Sequence, residues 1–337
     1  MRDTVLGLRW LFPILLLVLS SCRGGDSQTV HKSTQFLMGT IVEIAVVAPP
    51  EKAKASIHAV FEELKRVENL TSFHKPSELS RINDSAGTSS LKANPEVFNL
   101  IKQSLEFAEL TGGAFDPTLG PLSRLWNFSG EGEAHVPEPH EVKEAMSKTG
   151  FRRIRMDVAS QTLTLPESGM SLDLGGIAKG YALDRARAVL QEAGVGGALV
   201  NAGGDIVAMG EKGPGKPWKI GIQDPRAPRG IVAVASLKDK FIVTSGDYER
   251  FIEKDGTRYH HILDPTTGYS ARGLQSVTVI APSGVAADAL STAVFVLGSE
   301  KGLKLIESTP DVEALIIDSE GRRLESSGAA TMIEIKR

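Results

Sequence analysis

Apolar, mostly β-branched residues run through Ile41-Val42-Glu43-Ile44-Ala45-Val46-Val47 and predict a strand, which Pro49-Pro50 ends. Over residues 51–70 the period changes. Ile57, Val60, Phe61, Leu64 and Val67 recur at helical spacing and predict a helix. Residues 71–83 read as a polar loop carrying one aromatic, Phe73. Asn94-Pro95 supplies a cap and a first position for the next helix. Its apolar face is Val97, Leu100, Ile101, Leu105 and Ala108, and Thr111-Gly112-Gly113 stops it. Residues 114–120 read as turn and loop. Residues 127–140, rich in Gly, Glu, Pro and His, read as a surface excursion.

The second half is denser in strands. A short helix is expected at 141–148, with strands at 152–157, 162–165 and 170–174. A helix over 177–193, ended by Gly194, precedes strands at 197–201 and 205–209, split by Ala202-Gly203-Gly204. Further strands are expected at 218–222, 231–235 and 241–243. The stretch from Arg258 to Thr292 carries two histidines, an Asp-Pro-Thr-Thr-Gly turn, a strand and a helix over 285–297. A helix at 300–307 and strands at 314–317 and 331–335 finish the chain. Strands outnumber helices, and helices separate groups of strands instead of alternating with single ones. That pattern predicts an α+β fold: one large domain of mixed or antiparallel sheets with packed helices, with room for two lobes.

The N-terminus changes the picture of where the chain works. Arg2 and Arg9 precede the apolar run Trp10–Leu19, which is too short for a comfortable membrane span and reads as a signal-peptide core. It ends in Leu19-Ser20-Ser21-Cys22, which resembles the bacterial lipoprotein box. Cys22 is the only cysteine of the chain, so no intramolecular disulfide can form, and lipidation gives this lone residue a use. The expected organisation is a lipoprotein signal peptide at 1–21, a lipidated tether at 22–33 and one domain at 34–337. The expected location is the periplasmic face of the inner membrane. Arg23, the residue after the cysteine, does not itself select the leaflet.

The chain has 337 residues, 41% of them apolar, enough for a sizeable core. A formal net charge of −3, with both signs mixed along the chain, gives no basic footprint for nucleic acid. No repeat of 20–50 residues is evident.

Four stretches carry candidate chemistry. In Ser171–Tyr181 a strand ends in Asp173-Leu174-Gly175-Gly176 and a helix carrying Lys179 begins. Glycines let backbone approach a phosphate, and a helix N-terminus favours negative charge. The same residues would equally make a tight structural corner, and neither the phosphate loop GxxxxGK[ST] nor GxGxxG is present. Asn201-Ala202-Gly203-Gly204-Asp205 admits a close ligand approach or a plain hairpin turn. Asp288 and Thr292 lie four apart on one helix face, an oxygen pair suited to Mg²⁺ or simply a first-turn acid and a core threonine. His260 and His261 alternate along a strand, so at most one faces a site, where it would act as general base; otherwise both are structural. Together these stretches suit a ligand with phosphates, a divalent cation and a flat or apolar body.

At these residues the sequence resembles the ApbE family, the bacterial FAD:protein FMN transferases. The resemblance runs through Met38-Gly39-Thr40, Ser77–Asn83, Gly112–Pro117, Leu172–Gly180, Asn201–Asp205, Thr244–Tyr248, His261–Gly268 and Ala287–Ala293. It implies FAD as substrate and Mg²⁺ as cofactor. It implies transfer of FMN from FAD to a threonine hydroxyl of an acceptor flavoprotein, with a new phosphoester bond and release of AMP. FAD contacts carried onto matching positions are Met38, Phe73, Ala114, Phe115, Asp116, Asp173, Lys179 and Ile262. Mg²⁺ would be held by the Gly176 carbonyl, Asp288 and Thr292. His261 is the candidate base, and Asp288 would share that work through the metal. Implied acceptors are exported domains of sodium-pumping NADH:quinone reductases or related electron-transfer subunits. An FAD pyrophosphatase giving FMN and AMP, or a non-catalytic FAD-binding lipoprotein, remain the alternatives.

Overall fold

Thr29–Leu37 (β1) runs antiparallel to Thr40–Ala48 (β2) in the computed structural model, which describes residues 29–128 and 134–336. Cys22, the signal segment and residues 129–133 of the excursion lie outside the described residues. Met38 and Gly39 join the two strands, and both have positive φ, 54° and 71°. A two-residue turn of this hand matches the strand twist. The expected tether through residue 33 is corrected here: from Thr29 onward every residue of β1 has a partner on β2.

Helical spacing is borne out in α1 (Pro50–Thr71), which buries Ile57, Val60, Phe61, Leu64 and Val67. The expected loop at 71–83 instead contains a helix, α2 (Glu78–Asp84). Ser77 and Ser80 cap each other reciprocally there, and seven residues are too few to display a period. Next come β3 (Leu91–Lys92) and α3 (Pro95–Leu110), where the Asn94 side chain accepts from the Glu96 N–H at 2.9 Å. Then follow α4 (Gly120–Trp126), α5 (Pro139–Ser147), β4 (Arg155–Asp157) and β5 (Thr162–Thr164).

Residues 170–174 are extended but are not a strand. Both backbone groups of Leu172 are met by one side chain: its N–H donates to Asn83 Oδ1 at 2.7 Å, and its carbonyl accepts from Asn83 Nδ2 at 2.9 Å. The Asp173 N–H donates to the Pro117 carbonyl at 2.8 Å.

The chain continues through α6 (Ala178–Glu192), β6 (Gly197–Ala202), β7 (Asp205–Gly210), β8 (Trp218–Asp224), β9 (Ala227–Leu237) and β10 (Lys240–Gly246). A hairpin of β11 (Phe251–Lys254) and β12 (Thr257–His260) leads to β13 (Leu274–Ala281). The helices expected at 285–297 and 300–307 are the two halves of α7 (Gly284–Glu307), bent at Gly298, where φ is 77°. The chain ends with β14 (Glu313–Asp318), β15 (Arg323–Glu325) and β16 (Ile333–Ile335).

An eight-stranded antiparallel sheet in the order β1-β2-β6-β7-β10-β13-β14-β15 forms the middle layer. Helices α1, α6 and α7 cover one face, and the small sheet β16-β9-β8 covers the other. Both faces are therefore dry, which is why β2 reads as nearly continuous apolar residues. A second core gathers α2, α3 and the β3-β5-β4 sheet. Helix α7 serves both cores: Ala287, Leu290 and Val294 face the large sheet, while Val285, Ala289 and Ala293 face the second core. A helix apolar all round is a buried one. The expected α+β domain is thus observed, with two lobes sharing one helix.

Helices α6 and α7 touch through backbone at Gly180 and Gly284. A methyl group on Gly180 would lie 2.1 Å from the Gly284 carbonyl oxygen, and one on Gly284 would lie 2.2 Å from that of Gly180. Neither clash can be relieved by a side chain. Gly284→Ala is expected to destabilise the protein by about 2 kcal/mol, read as a lower urea midpoint with an unchanged slope.

Candidate active site

The close crossing of α6 and α7 sets the centre of the site. Asp288, on the second turn of α7, is buried, and its Oδ2 accepts from the Gly180 N–H at 2.8 Å. Thr292, one turn on, lies beside Gly176 at the entrance to α6. A methyl group on Gly176 would stand 3.2 Å from the Thr292 hydroxyl and 3.2 Å from Phe115 Cε2. Glycine therefore leaves a small space walled by Gly176, Phe115 and Thr292. Asp173 holds the approach to this corner, accepting from the Gly175 N–H at 2.8 Å.

Lys179 points from the start of α6 to the sheet, where its ammonium pairs with Asp205 Oδ2. Burial pulls this ammonium toward neutrality, but Asp205 and then Asp288 outweigh it and hold its pKa above the ordinary lysine value. Asp288 is pushed up to about 7, by burial first and by Asp205 second, against the pull of Lys179 and the backbone donors. Two nearly fully buried carboxylates thus share one lysine, whose side chain stays 29% exposed.

His261 lies near enough to Lys179 and Arg250 to feel both charges. Its N–H donates to the Arg250 carbonyl at 3.1 Å, and its ring Nδ1 is buried without a partner. Burial, then Arg250, His260 and Lys179, depress its pKa to about 3. His260 is turned into the core instead. Its Nε2 donates to the Ala271 carbonyl at 2.9 Å and its Nδ1 accepts from the Ile262 N–H at 3.3 Å, so the neutral ring satisfies both contacts. Its edge meets Phe295. His260 closes β12 and packs into the core, whereas His261, the next residue beyond the strand, feels the charges of Arg250 and Lys179.

The remaining candidates form the rim. The Met38 N–H donates to Glu68 at 3.1 Å, and Lys75 pairs with the same carboxylate at 2.7 Å. Glu68 therefore ties the Met38 turn to the loop bearing Phe73. The Arg124 guanidinium lies 4.8 Å from the Phe73 ring centre and donates to Ser171 Oγ at 2.9 Å, which joins that loop to the Asp173 segment. Ala114 and Phe115 are buried where α3 ends. The Asp116 carboxylate is engaged with its own loop, accepting from the Thr118 N–H and hydroxyl and from the Phe151 N–H. Burial raises its pKa. Ile262 is buried, with its N–H on His260 and its carbonyl accepting from the Ala271 N–H.

Sequence reasoning passed over Glu68 and Arg124, and it named Asn83 and Asp205 only as the ends of candidate stretches, without roles of their own. Asp205 alone carried a legible signal. A two-residue Gly-Gly turn before it puts its side chain on the same sheet face as Val207 and Met209, which face the helices. The other three act through contacts with residues distant in sequence.

The sequence profile of the ApbE family matches residues 38–316. An FAD:protein FMN transferase of Treponema pallidum is 36% identical, the match covering 97% of this chain and 96% of that protein. One from Klebsiella pneumoniae is 33% identical over 86% of this chain and 89% of its own. Among solved structures, the ApbE protein of Thermotoga maritima superposes with a TM-score of 0.84 at 40% identity, covering 90% of this chain and 99% of that one. The flavin transferase ApbE of Vibrio cholerae does so with a TM-score of 0.82 at 30% identity, with the same coverage.

The buried histidines make stability depend on pH. The folded-state pKa of His260, about 4, lies below its ordinary 6.5. Its contribution is therefore whole above pH 6.5 and is lost as pH falls through about 4, because the unfolded chain takes up the proton first. The shift corresponds to about 3 kcal/mol. Urea unfolding is expected to show a lower midpoint at pH 4.5 than at pH 7. His260→Leu should start lower at pH 7 and lose less between the two.

Proposed function

The chain belongs to the ApbE family and is an FAD:protein FMN transferase, and we propose that it transfers FMN with Mg²⁺ to a threonine hydroxyl of an exported acceptor flavoprotein, releasing AMP. The observation that carries this reading is the buried acid pair, Asp205 and Asp288, which share the charge of Lys179 close to Gly176 and Thr292. Such a centre favours a further positive charge. The donors at hand, the Asp288 carboxylate, the Thr292 hydroxyl and the Gly176 carbonyl, are all oxygens. Mg²⁺ prefers these and completes its shell with phosphate oxygens and water. Bound there, the ion would neutralise charge on the pyrophosphate.

The chain's own residues do the rest. Lys179 is a cation for the phosphates at the start of a helix, where negative charge is already favoured. Phe73, half-buried on the rim, would meet a flat part of FAD, and the buried Phe115 backs the Gly176 corner. The threonine oxygen attacks the FMN-side phosphorus, the bond from that phosphorus to the bridging oxygen breaks, and AMP leaves with that oxygen. The proton of the threonine goes to His261 Nδ1, which is buried, neutral and unpartnered. Its low pKa reflects burial and the repulsion of Arg250, His260 and Lys179 in the substrate-free site. A pyrophosphate beside Lys179 would offset that repulsion and raise the pKa toward the useful range.

On the same reading the enzyme is a lipoprotein held by Cys22 and facing the periplasm from the inner membrane. The apolar run followed by Leu19-Ser20-Ser21-Cys22 supports this. Its acceptors would be exported flavoprotein domains of sodium-pumping NADH:quinone reductases or related electron-transfer subunits.

The test is covalent labelling. The mature protein is incubated with FAD, Mg²⁺ and a threonine-bearing acceptor domain, and the denatured acceptor is examined for flavin fluorescence. A fluorescent band that EDTA abolishes is expected. AMP release without a band would show hydrolysis, with water replacing the threonine. Asp288→Ala is expected to lower Mg²⁺-dependent labelling at least about 100-fold. Wild-type labelling in that variant would remove the metal assignment.

A further inference from the structure

Asp205 is costly for the fold and does little for it. Its side chain is 2% exposed. Its Oδ1 receives one long hydrogen bond, from the Thr244 N–H at 3.4 Å. The only partner of Oδ2 among the described residues is the Lys179 ammonium. A buried carboxylate with so little backbone support is destabilising unless another group uses its charge.

The surroundings indicate which group that is. Lys179 has two buried acids near it. Asp288 is already engaged by the Gly180 N–H and lies one helical turn before Thr292. Arg250 repels the ammonium from the His261 side. Asp205 is left to draw Lys179 toward the sheet. Local structure fixes its aim. Gly203 and Gly204 both have positive φ, 67° and 100°, and make the two-residue turn that sets Asp205 opposite Ala202. The turn is pinned to the Met38 hairpin, because the Gly203 N–H donates to the Ile41 carbonyl at 3.1 Å. A one-residue slip would turn the carboxylate to the other face of the sheet.

We propose that Asp205 is a positioning residue for FAD binding: it holds the Lys179 ammonium at the mouth of α6, in the place from which it meets the pyrophosphate. This rests on the reading of Lys179 as a phosphate contact, and the experiment separates the two.

FAD dissociation constants are measured by flavin fluorescence in EDTA, so that neither turnover nor metal enters the result. The proteins are wild type, Lys179→Met, Asp205→Asn and the double variant, each checked for native near-UV circular dichroism. Lys179→Met is expected to weaken binding about 10- to 100-fold, the range for a hydrogen-bonded charge. Asp205→Asn is expected to weaken it about tenfold. The double variant should be no weaker than Lys179→Met alone, within about twofold, because Asp205 acts through the lysine. A merely structural aspartate would instead give losses that multiply. Multiplying losses, or an Asp205→Asn affinity equal to wild type, would overturn the proposal. An unchanged constant in Lys179→Met would overturn the phosphate contact itself. Asp205→Ser, which leaves room for a water, supplies the same comparison should the amide not be accommodated.

Discussion

The site depends first on how closely two helices can approach. Gly180 and Gly284 let α6 and α7 meet backbone to backbone, and this contact carries Lys179 and Asp288 into one buried space. Any larger side chain at the crossing would move both charges at once. The crossing is also what makes Asp288 expensive. Helix α7 is packed against two cores, so its one central carboxylate is almost wholly buried. The strain is electrostatic, not conformational, and a ligand that brings positive charge relieves it.

Around that centre the protein uses polar side chains where other folds would use strands or longer helices. Asn83 stands in for a β-partner at Leu172, Glu68 joins a hairpin turn to a loop, and Arg124 bridges Phe73 to Ser171. Asn83 and Arg124 tie rim elements to the segment that ends at Gly176, and Glu68 ties two parts of the rim to each other. The rim is therefore positioned by a few side-chain hydrogen bonds and ion pairs on the sheet-and-helix base, without adding core.

Much of this was legible in the sequence wherever a period or a cap carried the information. The helices α1, α3 and α6 followed from apolar spacing, Asn94-Pro95 and Gly194, and the strands β2, β6 and β7 from β-branched runs. What escaped was decided by contacts. Residues 170–174 have the alternation of a strand, but their partner is an asparagine side chain from α2. Helix α7 read as two helices because the bend at Gly298 looks like an end. The glycine corner, the Asp288–Thr292 pair and the two histidines each allowed a bland reading. Resemblance to a family, not local physics, chose between them. Phe73 stood out as the one aromatic of a polar loop, but only the resemblance turned it and Met38 into ligand contacts. The ion pair between Lys179 and Asp205 required knowing that α6 lies over the start of β7.

The order of the large sheet has a consequence for how the protein is made. Strand β2 pairs with β6, so Val42 meets Ala202, 160 residues later in the chain. Most of the second core, from Leu79 to Ala178, is strung between them. Closing so long a loop costs entropy before any contact repays it, and folds built on such pairings assemble slowly. The helical lobe can gather its local contacts early, while β1 and β2 wait for their neighbour. Met38, Lys179, Asp205 and Asp288 come from four separate parts of the chain, so no partly synthesised product contains a working site. Activity appears only when the last large element, α7, has closed over the sheet.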